Sequence, residues 1–257
     1  MASEAELSAV RGRLLGLIDE SRIRAVQIAR PHADVIARFE RITDLTSTVS
    51  DAMDSLGVGS AIPAHVLMPL APGQRICGPA VTIRYAGRGG TPGAHYARDS
   101  RPLLADRDLY GVGEAGDVAV FDCGGAAGTS VMGNLSALWA VRLGIAGCIV
   151  DGGVRDIASI RATGPHVWSR GRTPITGRHR LEAVEINGTV SICGVQVRPG
   201  DLIAADDSGV CVVPLENVET VIAQCEAAER AEEAVTSLIK SGATASDVTQ
   251  ALSPERW

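Results

Sequence analysis

Apolar residues recur at helical spacing over residues 4–29 (Leu7, Val10, Leu14, Leu15, Ile18, Ile23 and Val26), predicting one amphipathic helix that Pro31 helps to stop. A shorter helix is expected over about residues 33–41. Thr46 to Met53 supplies hydroxyl caps and opens a third helix, which Gly57 ends. From Ala80 the period changes to that of strands: Ala80–Tyr85, Asp117–Asp122, Ala146–Val150, Ser191–Val197, Leu202–Ala205 and Val210–Val213. An apolar helical run after Ser136 separates the second of these from the third. Residues 215–240 read as a last helix, with Val218, Val221, Ile222 and Cys225 inward and Glu226, Glu229, Glu232 and Glu233 on its polar side. The tail after Gly242 is expected to be loose or docked on a partner. This succession of strands and helices predicts an α/β fold.

The segment from Ala86 to Gly111 breaks the rhythm. It is rich in Gly and Pro and carries His95, Tyr96, Arg98 and Arg101. Its length fits either a lid over a binding site or a plain mobile loop.

Composition narrows the class. The 257 residues suffice for one large core or two small ones, and with 46% apolar but only 3% aromatic residues that core rests on Ala, Val, Ile and Leu. The 29 glycines imply many tight turns. No apolar run approaches the roughly 20 residues that span a bilayer, and the first residues lack the basic-then-apolar pattern of a secretory signal. A soluble, cytoplasmic chain with no membrane contact is expected. A net charge of −6 argues against general nucleic-acid binding. The six cysteines form no C-x-x-C pair and read as reduced packing residues. The five histidines show no ligand spacing, and only His95, on the long loop, stands out.

Gly111 to Gly116 matches G-x-G-x-x-G, but it leads into a strand instead of opening a helix, so a dinucleotide site is rejected. Neither a phosphate loop nor a nucleophile elbow is present. The stretch from Met132 to Asp156 carries more. Gly133-Asn134-Leu135-Ser136 opens a helix whose first amides are unpaired and suited to an anion. After the following strand, Gly152-Gly153 reads as a turn that delivers Arg155 and Asp156 together at the sheet rim. Arginine grips a carboxylate in two prongs, and aspartate suits a hard divalent metal. Asp51 and Asp54, three apart on the early helix, are either site acids or partners of the helix dipole.

The succession Thr48-Val49-Ser50-Asp51-Ala52, Gly78-Pro79-Ala80-Val81-Thr82, Gly133-Asn134-Leu135, Asp151-Gly152-Gly153-Val154-Arg155-Asp156, Val197-Arg198-Pro199-Gly200-Asp201 and Asp206-Asp207-Ser208-Gly209-Val210 resembles the RraA-like family. That family includes class II 4-hydroxy-4-methyl-2-oxoglutarate/4-carboxy-4-hydroxy-2-oxoadipate aldolases and the regulator of ribonuclease E activity. The resemblance implies an α/β fold of the swivelling β/β/α type over residues 44–215, with a helical extension over 1–43 and a C-terminal helix and tail over 216–257. It also implies a homotrimer or homohexamer with active sites between subunits.

By the same resemblance, Arg155 holds a small 2-oxo acid and Asp156 binds Mg²⁺ or Mn²⁺. Backbone amides of Gly133, Asn134, Leu135 and Ser136 take the pyruvyl end. Asp51 helps order metal-bound water, joined by a glutamate from a neighbouring subunit, matched to Glu229. The implied activity is C–C cleavage through a pyruvate enolate, as an aldolase, an oxaloacetate decarboxylase or both. Two positions depart from the aldolase pattern: Ser159 stands where an acid is common, and Asn134 where Gly or Asp is usual. Ser159 removes a carboxylate and so weakens metal binding or the proton relay. The alternatives are a non-catalytic regulator that binds a partner protein, and another enolate-forming enzyme.

Overall fold

The computed structural model describes residues 1–98 and 103–251. In chain order its helices are α1 (Glu4–Val10), α2 (Ala33–Arg41), α3 (Leu45–Leu56), α4 (Pro92–Arg98), α5 (Asp106–Val112), α6 (Asn134–Arg142), α7 (Ile157–Thr163), α8 (Val218–Lys240) and α9 (Ala245–Ala251). Its strands are β1 (Ser60–Pro63), β2 (Met68–Pro69), β3 (Ile76–Gly87), β4 (Val118–Met132), β5 (Gly147–Val154), β6 (His166–Arg172), β7 (Leu181–Ile186), β8 (Val190–Ile192), β9 (Val195–Val197), β10 (Leu202–Asp206) and β11 (Gly209–Val213). The α/β class expected from the sequence is the one observed.

Strands β3, β4, β5 and β6 lie side by side and parallel, with α5, α6 and α7 as the successive crossovers. β3 belongs to two sheets at once. Its first residues, Ile76 to Pro79, pair antiparallel with β10, which continues through β11 to β1, while its later residues pair with β4 on one side and β7 on the other. Alternation along the strands separates three cores. Val81, Ile83 and Tyr85 face the crossover helices, where Leu109, Tyr110, Ala137 and Ala140 meet them. Ala80, Val118, Val120 and Ile149 face the other way, against the β8–β9 hairpin and Ile203 and Ala205 of β10. Leu202 and Ala204 point from β10 to α2, α3 and α8.

Several expectations need correction. The predicted helix over residues 4–29 is helical only to Val10, followed by short 3-10 turns at Arg11–Arg13 and Glu20–Arg22. A distant group overrides the local pattern. The buried Asp108 carboxylate of α5 accepts the backbone N–H groups of Leu15 (2.6 Å), Leu17 (2.5 Å) and Ile18 (3.1 Å), holding the chain as a strap whose Ile18, Ile23 and Val26 enter the helix-side core. The segment 86–111 contains α4 and α5 in place of a continuous loop, and Arg101 lies outside the described residues. The strand expected over 191–197 is a hairpin. Cys193 (φ +50°) and Gly194 (φ +85°) form its two-residue turn, the left-handed pair that matches strand twist. Gly152 and Gly153 are not a turn but the end of β5. The tail beyond Gly242 includes α9, capped reciprocally by Thr244 and Asp247.

The strap's end is fastened by Arg30, whose guanidinium donates to both oxygens of Asp117 (2.9 and 2.8 Å) at the entrance to β4. The Asp117 side chain is 1% exposed. Arg30→Met therefore leaves a buried carboxylate without its counter-charge, held only by the Glu114 N–H (2.7 Å), and is expected to cost on the order of 3 kcal/mol. Urea titration checks this; a loss below about 1 kcal/mol would show the carboxylate re-solvated.

Candidate active site

Open parallel sheets bind ligands beyond the carboxyl ends of their strands, where chain turns outward into the crossover helices. β4 and β5 end there as neighbours, with Met132 paired to Val154. The register brings the next residues together. The Arg155 N–H donates to the Met132 carbonyl (3.0 Å), and the Asn134 N–H donates to Asp156 Oδ2 (3.1 Å). Asp156 adopts the left-handed conformation (φ +58°, ψ +38°), uncommon for any residue but glycine, and this bend turns its carboxylate back towards the start of α6. Arg155 Nε lies 3.6 Å from Asp156 Oδ2, and both side chains remain partly open to solvent.

Gly133 is the spacer that permits this packing. A Cβ there would stand 2.6 Å from Asp156 Oδ2 and 3.1 Å from Arg155 Nε. Gly152 and Gly153 serve the layer beneath: a Cβ on Gly153 would meet the carbonyls of Ala127 and Thr129 at 2.7 Å each. The two glycines read as a turn are thus demanded by close backbone approach in the sheet.

These residues line a cavity of about 380 Å³. One wall is the start of α6, Gly133 to Ser136, and the next is Arg155 and Asp156, with Ser159 behind them. The cavity is also lined by Asp106 and Arg107 from α5, which the sequence reading did not single out, and by Arg178 from the segment after β6. Asp106 is buried, and burial raises its carboxyl pKa to about 6, against the opposing effects of a hydrogen bond from Ser136 and the nearby Arg107. Ser136 Oγ also lies 2.9 Å from the Tyr110 hydroxyl, whose own pKa burial pushes well above its ordinary value. Two polar atoms around the cavity, Arg107 Nε and Asn134 Oδ1, are buried without a hydrogen-bond partner.

The other expected site residues lie elsewhere in the single chain. Asp51 is exposed on α3 and lines a separate depression with Ser47, Ser50 and Ser208. Glu229, on α8, accepts the Thr43 N–H at 2.6 Å. His95, on α4, pairs through Nε2 with the Gly89 carbonyl just ahead of that helix (2.7 Å). Gly111 to Gly116 closes α5 and runs into β4, so no helix opens from it. Among the described residues no three His, Cys, Asp or Glu side chains converge on one point to enclose a metal, and no helix is long and apolar enough to cross a membrane.

The profile of the RraA-like family, described as Aldolase/RraA, matches residues 46–212. The chain belongs to the RraA-like family. Within it, this RraA-like chain is 31% identical over 207 residues to a Halalkalibacterium halodurans protein named "Putative 4-hydroxy-4-methyl-2-oxoglutarate aldolase", covering 80% of this chain and 89% of that one. It is 33% identical over 200 residues to "Protein DlpA" of Legionella pneumophila, covering 77% of this chain but spanning only 31% of that relative's length. The crystal structure of Streptomyces coelicolor RraAS2, an unusual member of the RNase ES inhibitor RraA protein family, superposes with a TM-score of 0.64 at 26% identity, over 80% of this chain and 98% of that one. The matched span contains Gly133 to Ser136, Arg155 and Asp156, and also Asp106, Arg107 and Arg178.

Proposed function

We propose that the cavity is the active site of a lyase that cleaves a C–C bond of a small 2-oxo diacid and forms a pyruvate enolate. The observation that carries this reading is the adjacency of Arg155, Asp156 and the α6 N-terminus at the carboxyl edge of β4 and β5. Arg155 binds the carboxylate of the 2-oxo acid through paired N–H donors. The Leu135 and Ser136 amides in the first turn of α6, which lack helical partners, face the oxygens that gain charge when the bond breaks, the Asn134 N–H being held by Asp156. Similarity to a relative named as an aldolase supports the same class.

The donor set suits Mg²⁺ or Mn²⁺. Asp156 offers a partly exposed carboxylate at the cavity, and Asn134, whose Oδ1 is unpartnered, lines the same cavity. Such ions commonly take one or two protein carboxylates and leave other positions to water and substrate. When bound, the ion neutralises charge developing on the substrate oxygens.

Asp51 and Glu229 would reach the cavity from a neighbouring copy, in keeping with a homotrimer or homohexamer. Leu135 (72% exposed), Leu138 and Val141, at helical spacing on α6, leave an uncovered apolar stripe beside the site that a second copy would cover.

The test is pyruvate release from 4-hydroxy-4-methyl-2-oxoglutarate and from oxaloacetate, with Mg²⁺ or Mn²⁺ and again after EDTA. Release that EDTA stops and added metal restores is expected. Metal binding without release from either compound would assign a different substrate. Absence of metal binding, with stoichiometric capture of a protein partner, would favour the regulatory role suggested by the likeness to RraAS2.

A further inference from the structure

Asp106 sits in the active-site wall with no role in the reading above. Its carboxylate accepts a hydrogen bond from Ser136, and the Tyr110 hydroxyl stands 2.9 Å behind that serine. The groups around it are Arg107 and Tyr110 on its own helix, Ser136 from α6, Tyr85 from β3 and Cys148 from β5, with Arg155 and Arg178 elsewhere on the cavity wall. Among the described residues packed directly against it, only Arg107 carries charge, its Nε 4.0 Å from Asp106 Oδ2. A full salt bridge would lock the group as a permanent anion; this geometry leaves it free to gain and lose a proton. The companion Asp108 differs. It spends its oxygens on three backbone N–H groups of the strap and lines no part of the cavity.

We propose that Asp106 is the proton carrier of this active site, taking the proton of the substrate's hydroxyl and returning it to the enolate carbon. The inference rests on the lyase reading. In the cleavage direction the C4 hydroxyl gives its proton to the Asp106 carboxylate, and the C3–C4 bond breaks. The hydroxyl carbon becomes the carbonyl of one product, and the bond's electron pair becomes the enolate spanning C2 and C3. The Asp106 carboxyl then donates its proton to C3, giving pyruvate and restoring the carboxylate, with no net proton taken up. A carboxyl that titrates at about 6 is matched to both halves of this cycle near neutral pH.

The half-reaction is accessible with pyruvate alone. In D₂O with Mg²⁺, the wild-type protein should exchange the pyruvate methyl protons for deuterium, followed by NMR. The exchange rate should rise with pH through an inflection near 6 as Asp106 ionises. Asp106→Asn should lower exchange by about 10²-fold or more and flatten that limb, while affinity for oxalate, a planar mimic of the enolate, changes by less than about threefold. A variant that exchanges within about threefold of wild type, or keeps the limb near pH 6, overturns the role of Asp106. A wild-type protein that neither exchanges nor binds oxalate removes the lyase reading, and this inference with it. If Asp106→Asn does not fold, Ser136→Ala carries the test. Loss of that hydrogen bond removes stabilisation of the carboxylate, so the inflection should move to higher pH, and an unmoved inflection overturns the proposal.

Discussion

Asp156→Asn should lower kcat/KM for pyruvate release by at least about 10³-fold and leave the melting temperature within a few degrees of wild type. Asparagine is the informative replacement because position 156 lies at φ +58°. Asparagine tolerates the left-handed region, whereas alanine there costs roughly 1–2 kcal/mol and confuses loss of fold with loss of function. The amide also keeps an oxygen for the Asn134 N–H, which now donates to Asp156 Oδ2 at 3.1 Å. The ion pair with Arg155 is lost, but at 3.6 Å, with side-chain exposures of 38% and 44%, it contributes under about 1 kcal/mol. Catalysis loses far more. The negative charge that would hold a divalent cation is gone, and neutralisation of developing charge is worth several kcal/mol in such sites. Steady-state pyruvate release and a thermal melt decide the matter together. A variant within about tenfold of wild type in kcat/KM would show that Asp156 is not the metal carboxylate.

What the sequence disclosed follows from how each feature is encoded. The two limbs of the site are contiguous stretches, Gly133 to Ser136 and Arg155 to Asp156, and strand pairing alone brings them together. α2 and α3 are legible because their signals are local: helical apolar spacing in each, and for α3 a Gly57 in the left-handed region at its end. Asp106 was invisible for the opposite reason. In Asp106-Arg107-Asp108 nothing local distinguishes the two acids, yet two positions along a helix they face different surroundings. Asp108 is turned to the N-terminal strap and Asp106 to the cavity. The strap illustrates the same limit. Its apolar spacing is helical, but partners some 90 residues away outbid helical hydrogen bonding for Leu15, Leu17 and Ile18. β6 and β7 escaped notice because they break the apolar pattern: Arg170, Gly171 and Arg172 end one, and Glu182 and Glu185 punctuate the other. The Glu185 carboxylate is nonetheless partnered, by Arg24 of the strap.

Gly133→Ala should cut kcat/KM by about 10²-fold while the protein stays folded. The backbone at Gly133 is extended (φ −146°, ψ −168°), a conformation any residue adopts, so alanine meets no torsional penalty. The cost falls on neighbours. The new methyl would stand 2.6 Å from Asp156 Oδ2, 3.1 Å from Arg155 Nε and 3.2 Å from Arg155 Cγ. These are ends and stems of partly exposed side chains, which can swing aside at little expense to the fold. Swinging aside displaces the two groups proposed to hold metal and substrate, and a shift near 1 Å is enough for a loss of about this size. Gly153→Ala is the control for steric crowding of another kind. There a Cβ would meet the backbone carbonyls of Ala127 and Thr129 at 2.7 Å, atoms that cannot move without the sheet. That variant should lose stability first and activity in proportion to the unfolded fraction. Measuring kcat/KM beside the urea midpoint separates the two: Gly133→Ala should lower the former with a nearly unchanged midpoint, and Gly153→Ala should lower both. If Gly133→Ala keeps full activity, the close approach of Gly133, Arg155 and Asp156 is packing alone, and the chemistry must lie elsewhere on the chain.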